Sequence, residues 1–185
     1  MLLSEVVATS AAVSSTAGRS AKVAALADLV RRLEPEEVGV VVAALTGEVR
    51  QGRIGVGWAT VAGLDVPAAP EPTLTVVALD QALDELAATV GTGSQALRTT
   101  RLRALMAAAT EDEQAFLGRL LLGELRQGAL EGVVADGVAK AAGVPMAFSA
   151  DISAMVAVLL VVISIVSGIL ALGILKKSQP ADLLR

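Results

Sequence analysis

Apolar residues recur at intervals of three and four along most of the chain. Val23, Leu26, Val30 and Leu33 form one such series, Val38, Val41, Val42, Leu45 and Val49 a second, and Val76, Leu79, Leu83, Leu86 and Val90 a third. That spacing places each series on one face of an α-helix, and no two-residue alternation of strand type competes with it over a useful length. The chain ahead of Asp151 therefore predicts an all-α fold. End signals divide it into elements. Thr110 with Glu113 makes a T-x-x-E capping box, Ser94 is placed to cap a helix beginning at Gln95, and Gly143 ahead of Pro145 closes the last helix. The stretch Gly63–Pro72, GLDVPAAPEP, holds three prolines and predicts a surface connection between two halves.

The halves resemble each other. With Pro35 set over Glu111 and no gap introduced, PEEVGVVVAALTGEVRQG (35–52) lies over EDEQAFLGRLLLGELRQG (111–128), and both segments end in G-E-[VL]-R-Q-G. The helices before them superpose in the same register, with Lys22 over Arg98, Leu26 over Leu102 and Leu29 over Leu105. An internal duplication explains the common register of the apolar positions. Its units are half-repeats of about 20–62 and 94–143, each a helix pair whose second helix is expected to end in an Arg-Gln-Gly turn.

A different pattern begins at Ile152. The run ISAMVAVLLVVISIVSGILALGIL, residues 152–175, contains no charge and no proline. As a helix it would be about 36 Å long, enough for a hydrocarbon core of roughly 30 Å. A buried core helix of this kind would need a larger protein around it. The expectation is one transmembrane helix after a helical domain (1–147) and a junction (148–151), followed by a basic tail (176–185). Ser164, Gly168 and Ala171 lie near one face of that helix and suit close packing of a second copy, a homodimer through the membrane helix. Lys176, Lys177 and Arg185 favour a cytoplasmic tail. MLLSEVVATS has neither a basic n-region nor a cleavage site, which argues against a signal peptide and for a cytoplasmic helical domain. The two signals oppose each other.

Composition narrows the chemistry. The 185 residues include no His, Cys or Tyr, and the only aromatic residues are Trp58, Phe116 and Phe148. Zinc sites built from Cys and His, disulfides, thiol nucleophiles and Ser-His-Asp triads are excluded, as are aromatic base-stacking platforms. Residues 1–150 carry 12 Lys and Arg against 17 Asp and Glu, a formal −5. That balance does not suit an electrostatically driven nucleic-acid binder, so any such binding is expected to be weak and salt-sensitive and to depend on local clusters. Arg98, Arg101, Arg103, Arg119 and Arg126 supply one, provided that Glu34–Glu37 and Asp80–Glu85 face away from it.

Two places can meet phosphates. In the Arg-Gln-Gly turns, Arg50 or Arg126 can sit in the last turn of a helix, with Gly52 or Gly128 providing a left-handed residue; this describes a helix C-cap with a dipole-matched cation. Repetition of Gln51 and Gln127, which capping does not require, favours a shared surface role, with both turns on one face where amides and the Arg side chains can meet phosphates. The second place is GTGSQALRTTRLR, residues 91–103, where Gly91, Gly93 and Ser94 precede a helix bearing Arg98 and Arg101. It reads either as an anion site at a helix start or as a loop, a cap and a solvated basic face. No Lys-Ser or Lys-Thr follows the glycines, so it is not a Walker A loop.

The run ATEDEQAFLGRLLLGELRQGALEGVVADGVAKAAGVP, together with LTGEVRQGRIGVGWAT, EPTLTV and GTGSQALR, resembles the N-terminal helical DNA-binding domain of ATP-dependent DNA ligases of the actinobacterial type. The resemblance covers roughly Met1 to Ala147. It implies a two-fold-like helical bundle that grips duplex or nicked DNA through the minor groove and backbone, in repair, replication and recombination. It assigns DNA contacts to Arg50, Gln51, Gly52 and Arg53, to Gly91, Gly93, Ser94 and Arg98 with the neighbouring Arg101, and to Arg126, Gln127 and Gly128. Ligases of this family use ATP and Mg2+ in a further domain, with an adenylated lysine in a Lys-x-Asp-Gly motif. Lys22, Lys140, Lys176 and Lys177 stand in no such motif. No catalytic residue and no cofactor is therefore expected in these residues, and two readings follow. One is a ligase-derived DNA-binding module held at a membrane. The other is an inactive truncated or rearranged ligase product serving at most as a membrane-tethered interaction surface.

Overall fold

The structure is a computed structural model and describes residues 1–52, 54–125 and 130–144. Among the described residues there are eight helices: α1 (Leu3–Ser15), α2 (Arg19–Val30), α3 (Pro35–Thr46), α4 (Trp58–Ala62), α5 (Val76–Ala88), α6 (Ser94–Ala107), α7 (Glu111–Leu121) and α8 (Leu130–Ala141). The only β pairing among these residues is an isolated bridge between Leu2 and Thr75, so this part is all-α as the periodicity predicts. There Leu3 donates to the Leu74 carbonyl at 2.8 Å and Val76 to the Met1 carbonyl at 3.0 Å, fastening the start of the chain beside the start of α5. The proline-rich connection runs mostly exposed, tied to the bundle where the Ala69 amide donates to the Ala109 carbonyl at 2.9 Å.

Local signals explain the helix boundaries. At the start of α7 the Thr110 amide and hydroxyl both donate to Glu113 Oε2, at 2.8 and 3.0 Å, completing the expected capping box. The same device opens α3, where the Glu34 amide donates to Glu37 Oε2 at 3.0 Å and Pro35 occupies the first turn. The far ends of the two helices match too. Gly47 and Gly123 take φ of +83° and +68°, and the following amides reach back five positions, Glu48 to Ala43 at 2.9 Å and Glu124 to Arg119 at 2.8 Å. This is the Schellman closure that glycine permits. Caps and closures alike keep the register that sets Pro35 over Glu111.

Two expected boundaries are corrected. Gly47 ends α3, so Arg50, Gln51 and Gly52 lie beyond the helix in a separate turn, and Arg50 does not sit in the last turn. Ser94 does not cap α6. It is the first helical residue, preceded by Gly93 at φ +80°, and no side chain caps this end. The left-handed glycine turns the chain one position earlier than a serine cap would.

Helix faces meet in one core. Leu26 and Leu29 of α2, Val41 of α3, Leu79 and Leu86 of α5, Leu102 of α6, and Phe116 and Leu117 of α7 are buried. Burying a side chain as large as Phe116 is worth roughly 1.5–3 kcal/mol. Helix α8 packs closely on α2, and Gly137 makes that approach feasible: a Cβ there would fall 2.7 Å from Leu26 Cβ. Val133 and Val134 of α8 are buried in the same core. Among the described residues no helix is long and apolar enough to cross a membrane. The run at 152–175, with its junction and tail, lies outside the described residues.

Candidate nucleic-acid interface

The turn after α3 closes with the Gly52 amide on the Val49 carbonyl at 2.9 Å, with Gly52 at φ +68°. It directs two candidate side chains onto α5. The Arg50 guanidinium takes Asp80 through Nε and Nη2, at 3.0 and 2.9 Å, and Asp84 through Nη2 at 2.9 and 2.8 Å. Gln51 Nε2 donates to Asp80 Oδ1 at 2.7 Å and Asp84 Oδ1 at 2.9 Å. Asp80 and Asp84 stand at i and i+4, hence are neighbours on one helical face. The hydrogen bond and charge of Asp80, reinforced by Asp84, raise the Arg50 guanidinium above its ordinary pKa. Asp80 and Asp84 thus face the turn and offset its charge, while Glu85 meets the expected basic cluster, its Oε2 3.5 Å from Arg101 Nε, so the expectation that residues 80–85 face away from that cluster is corrected at Glu85. Arg50 nonetheless keeps 47% of its side-chain surface exposed.

The second candidate group surrounds the other end of α5. Gly91 and Gly93 have φ of +91° and +80°, and a Cβ at either would meet nothing within 4 Å. The Ser94 amide donates to the Gly91 carbonyl at 3.2 Å, folding the turn against the start of α6. One and two helical turns on, Arg98 and Arg101 reach back across the loop. Arg98 Nη2 donates to the Thr89 carbonyl, and Arg101 Nη1 donates to the Glu85 carbonyl and the Thr89 hydroxyl, each at 2.6 Å. Two guanidinium groups from α6 therefore close the carbonyl end of α5, where positive charge suits the helix dipole. Arg98 also lies across Gly55, where a Cβ would stand 2.8 Å from its Cζ.

Helix α5 is thus the platform joining both groups, with Asp80 and Asp84 receiving Arg50 and Gln51, and Glu85 and Thr89 receiving Arg98 and Arg101. Sequence reasoning does not single out Asp80 and Asp84 as partners of the turn, although their i, i+4 spacing on a predicted helix is a readable signal. Arg53, Arg126, Gln127 and Gly128 lie outside the described residues. Trp58 is 68% exposed, and the Gln95 Nε2 bond to Thr60 Oγ1 at 3.2 Å brings its short helix alongside the start of α6. Among the described residues no three acidic, histidine or cysteine side chains are grouped to hold a metal ion. No Lys-x-Asp-Gly sequence occurs among the 185 residues.

Residues 60–139, from within α4 to within α8, match the family described as DNA ligase N terminus. The chain is similar to a probable DNA ligase of Mycobacterium avium (strain 104), 56% identical over 149 residues, which is 80% of this chain and 28% of that protein. It is also similar to probable DNA ligases of Pseudarthrobacter chlorophenolicus, 55% identical over 142 residues (77% of this chain, 28% of the relative), and of Streptomyces griseus, 55% identical over 147 residues (80% and 29%). The helical part is therefore similar to the N-terminal domain of DNA ligases. The chain spans less than a third of the length of these relatives.

Proposed function

We propose that the helical domain binds duplex or nicked DNA along the sugar-phosphate backbone. It does not seal the nick, and residues 152–175 hold it at a membrane. The observation that carries the DNA reading is the 56% identity to a probable DNA ligase over 149 residues, together with a family match whose segment contains the α5 platform and the glycine turn. The turn at Arg50, Gln51 and Gly52 and the turn at Gly91, Gly93 and Ser94 supply the contacts, with Arg53, Arg126, Gln127 and Gly128 completing the surface. Arg98 and Arg101 act by holding α5 and the glycine turn in place while presenting positive charge beside them. The caps and closures of α3 and α7, matched position for position, support a duplicated bundle with a contact turn in each half.

Fluorescence anisotropy of the full chain with labelled nicked and intact duplexes, at low and moderate salt, tests this reading. Binding at low salt that falls as salt rises, and that weakens in Arg50→Ala with Arg126→Ala, is expected. No binding at low salt, or binding indifferent to both substitutions, refutes it. Incubation with ATP is expected to leave no covalent AMP adduct, because none of the four lysines stands in a Lys-x-Asp-Gly motif. The membrane reading rests on the uncharged run at 152–175, and extraction of the expressed chain into the alkaline-soluble fraction would refute it.

A further inference from the structure

The paired capping boxes differ in one respect that points to a ligand. In each, the buried glutamate at the third helical position uses Oε2 for the cap and has Oε1 left over. At Glu37 that oxygen receives the amino group of Met1, a primary ammonium, in an ion pair with both partners almost wholly buried. At Glu113, its counterpart in the second half, Oε2 is held by Thr110 and Oε1 has no hydrogen-bond partner, although the residue is 0% exposed. A buried carboxylate oxygen without a donor is costly.

Glu113 also lines a cavity of about 440 Å³ between α1 and α7. Val7, Ala11, Pro72 and Ala115 give it apolar walls, and the other ionisable residues are Asp112 and Arg119. The Arg119 guanidinium does not reach Glu113; its Nε donates to the Ala115 carbonyl at 3.3 Å. The lining residues carry one formal net negative charge, and Glu113 among them brings a carboxylate whose buried Oε1 has no donor.

We propose that this cavity binds a primary alkylammonium group, the chemistry of a lysine side chain, with the ammonium on Glu113 Oε1 and the methylene stem along Val7, Ala11 and Ala115. At Glu37, the counterpart of Glu113, Oε1 already receives such a cation, the Met1 amino group. A primary ammonium supplies three donors on a compact head, and its stem suits a narrow apolar wall. The site is independent of DNA contact.

The full chain, isotopically labelled in detergent micelles, is titrated with n-butylammonium chloride while the amide signals of Ser4, Thr110 and Glu113 are followed. Saturable shifts at those positions are expected, with none for n-butanol, which has a similar stem and no charge, and none for tetramethylammonium, which has charge and no donor. Glu113→Gln keeps a capping acceptor at the third helical position and is expected to weaken binding about tenfold. Nα-acetyl-lysine N-methylamide distinguishes the sources: binding equal to n-butylammonium indicates a side chain presented on a polypeptide, and its failure beside successful n-butylammonium indicates a free amine. Equal shifts with n-butanol, no saturable shift with n-butylammonium, or unchanged affinity in a folded Glu113→Gln variant overturns the proposal. If that variant does not fold, the three-ligand comparison on the unaltered chain decides.

Discussion

Replacing Asp80 and Asp84 together by Asn removes both carboxylates that hold Arg50 while keeping side-chain volume and an acceptor for Gln51. The structure gives Arg50 four contacts of 2.8–3.0 Å to those carboxylates and leaves its other face open to solvent. If Arg50 then engages a phosphate, the variant releases about one more counterion on binding, and its log-log salt slope steepens by about 0.9. Between roughly 200 mM and 50 mM salt, such a slope difference makes its advantage over the parent grow about threefold. Anisotropy titrations with nicked duplex at several salt concentrations measure this directly. A double-mutant cycle isolates the cause: Arg50→Ala is expected to weaken binding in the parent, where the exposed side of Arg50 reaches the backbone while the acids offset its charge, and to weaken it further in the Asn background, cancelling the gain. An unchanged slope, or a gain that survives Arg50→Ala, would show that Asp80 and Asp84 do not restrain Arg50 from DNA.

Other outcomes concern the bundle itself. Gly39→Ala and Gly137→Ala are both glycine replacements within helices but should move stability in opposite directions: a Cβ at 39 meets nothing within 4 Å, so helix propensity gains up to about 1 kcal/mol, whereas at 137 it falls 2.7 Å from Leu26 Cβ and forces α8 off α2. Urea unfolding of the pair checks the signs, and a stabilised Gly137→Ala would contradict the close packing. Phe116→Ala is expected to cost about 3–5 kcal/mol, lowering the urea midpoint without changing the slope. Burial pushes the Glu37 carboxyl up, but hydrogen bonds from the Met1 amino group and the Glu34 amide, with the ammonium charge, outweigh it and hold the pKa below the ordinary carboxylate range. A lowered folded-state pKa means stability that is present above that range and lost as pH falls through the lowered value. Acetylating the amino group should therefore move the acid-unfolding midpoint, followed by circular dichroism, to higher pH.

Much of the helical pattern is legible because it rests on local rules. Periodicity locates the apolar faces, and Thr110 with Glu113 marks the start of α7. The counterpart at Glu34 escapes the motif because an acid replaces the usual Ser or Thr at the cap, although the register of the two halves already places Glu34 opposite Thr110. The expected end of α3 falls too late because Gly47 and Gly52 both permit a left-handed residue, and the closures at Gly47 and Gly123 select the earlier glycine. The candidate site is less legible for a physical reason. Arg50 meets acids 30 and 34 residues away, and Arg101 meets a carbonyl 16 residues back, so their partners depend on tertiary packing that no local pattern encodes.

The closure of α5 by Arg98 and Arg101 also bears on the entropy of the short segment Val90–Gly93. Two flexible glycines would ordinarily sample many shapes, and any ligand would have to select one at a cost. With guanidinium groups from α6 fixed on the carbonyls just before the segment, both of its ends are anchored to the same pair of helices. The glycine turn is therefore presented already shaped, and the arginines that shape it are the groups whose loss would return it to an ensemble.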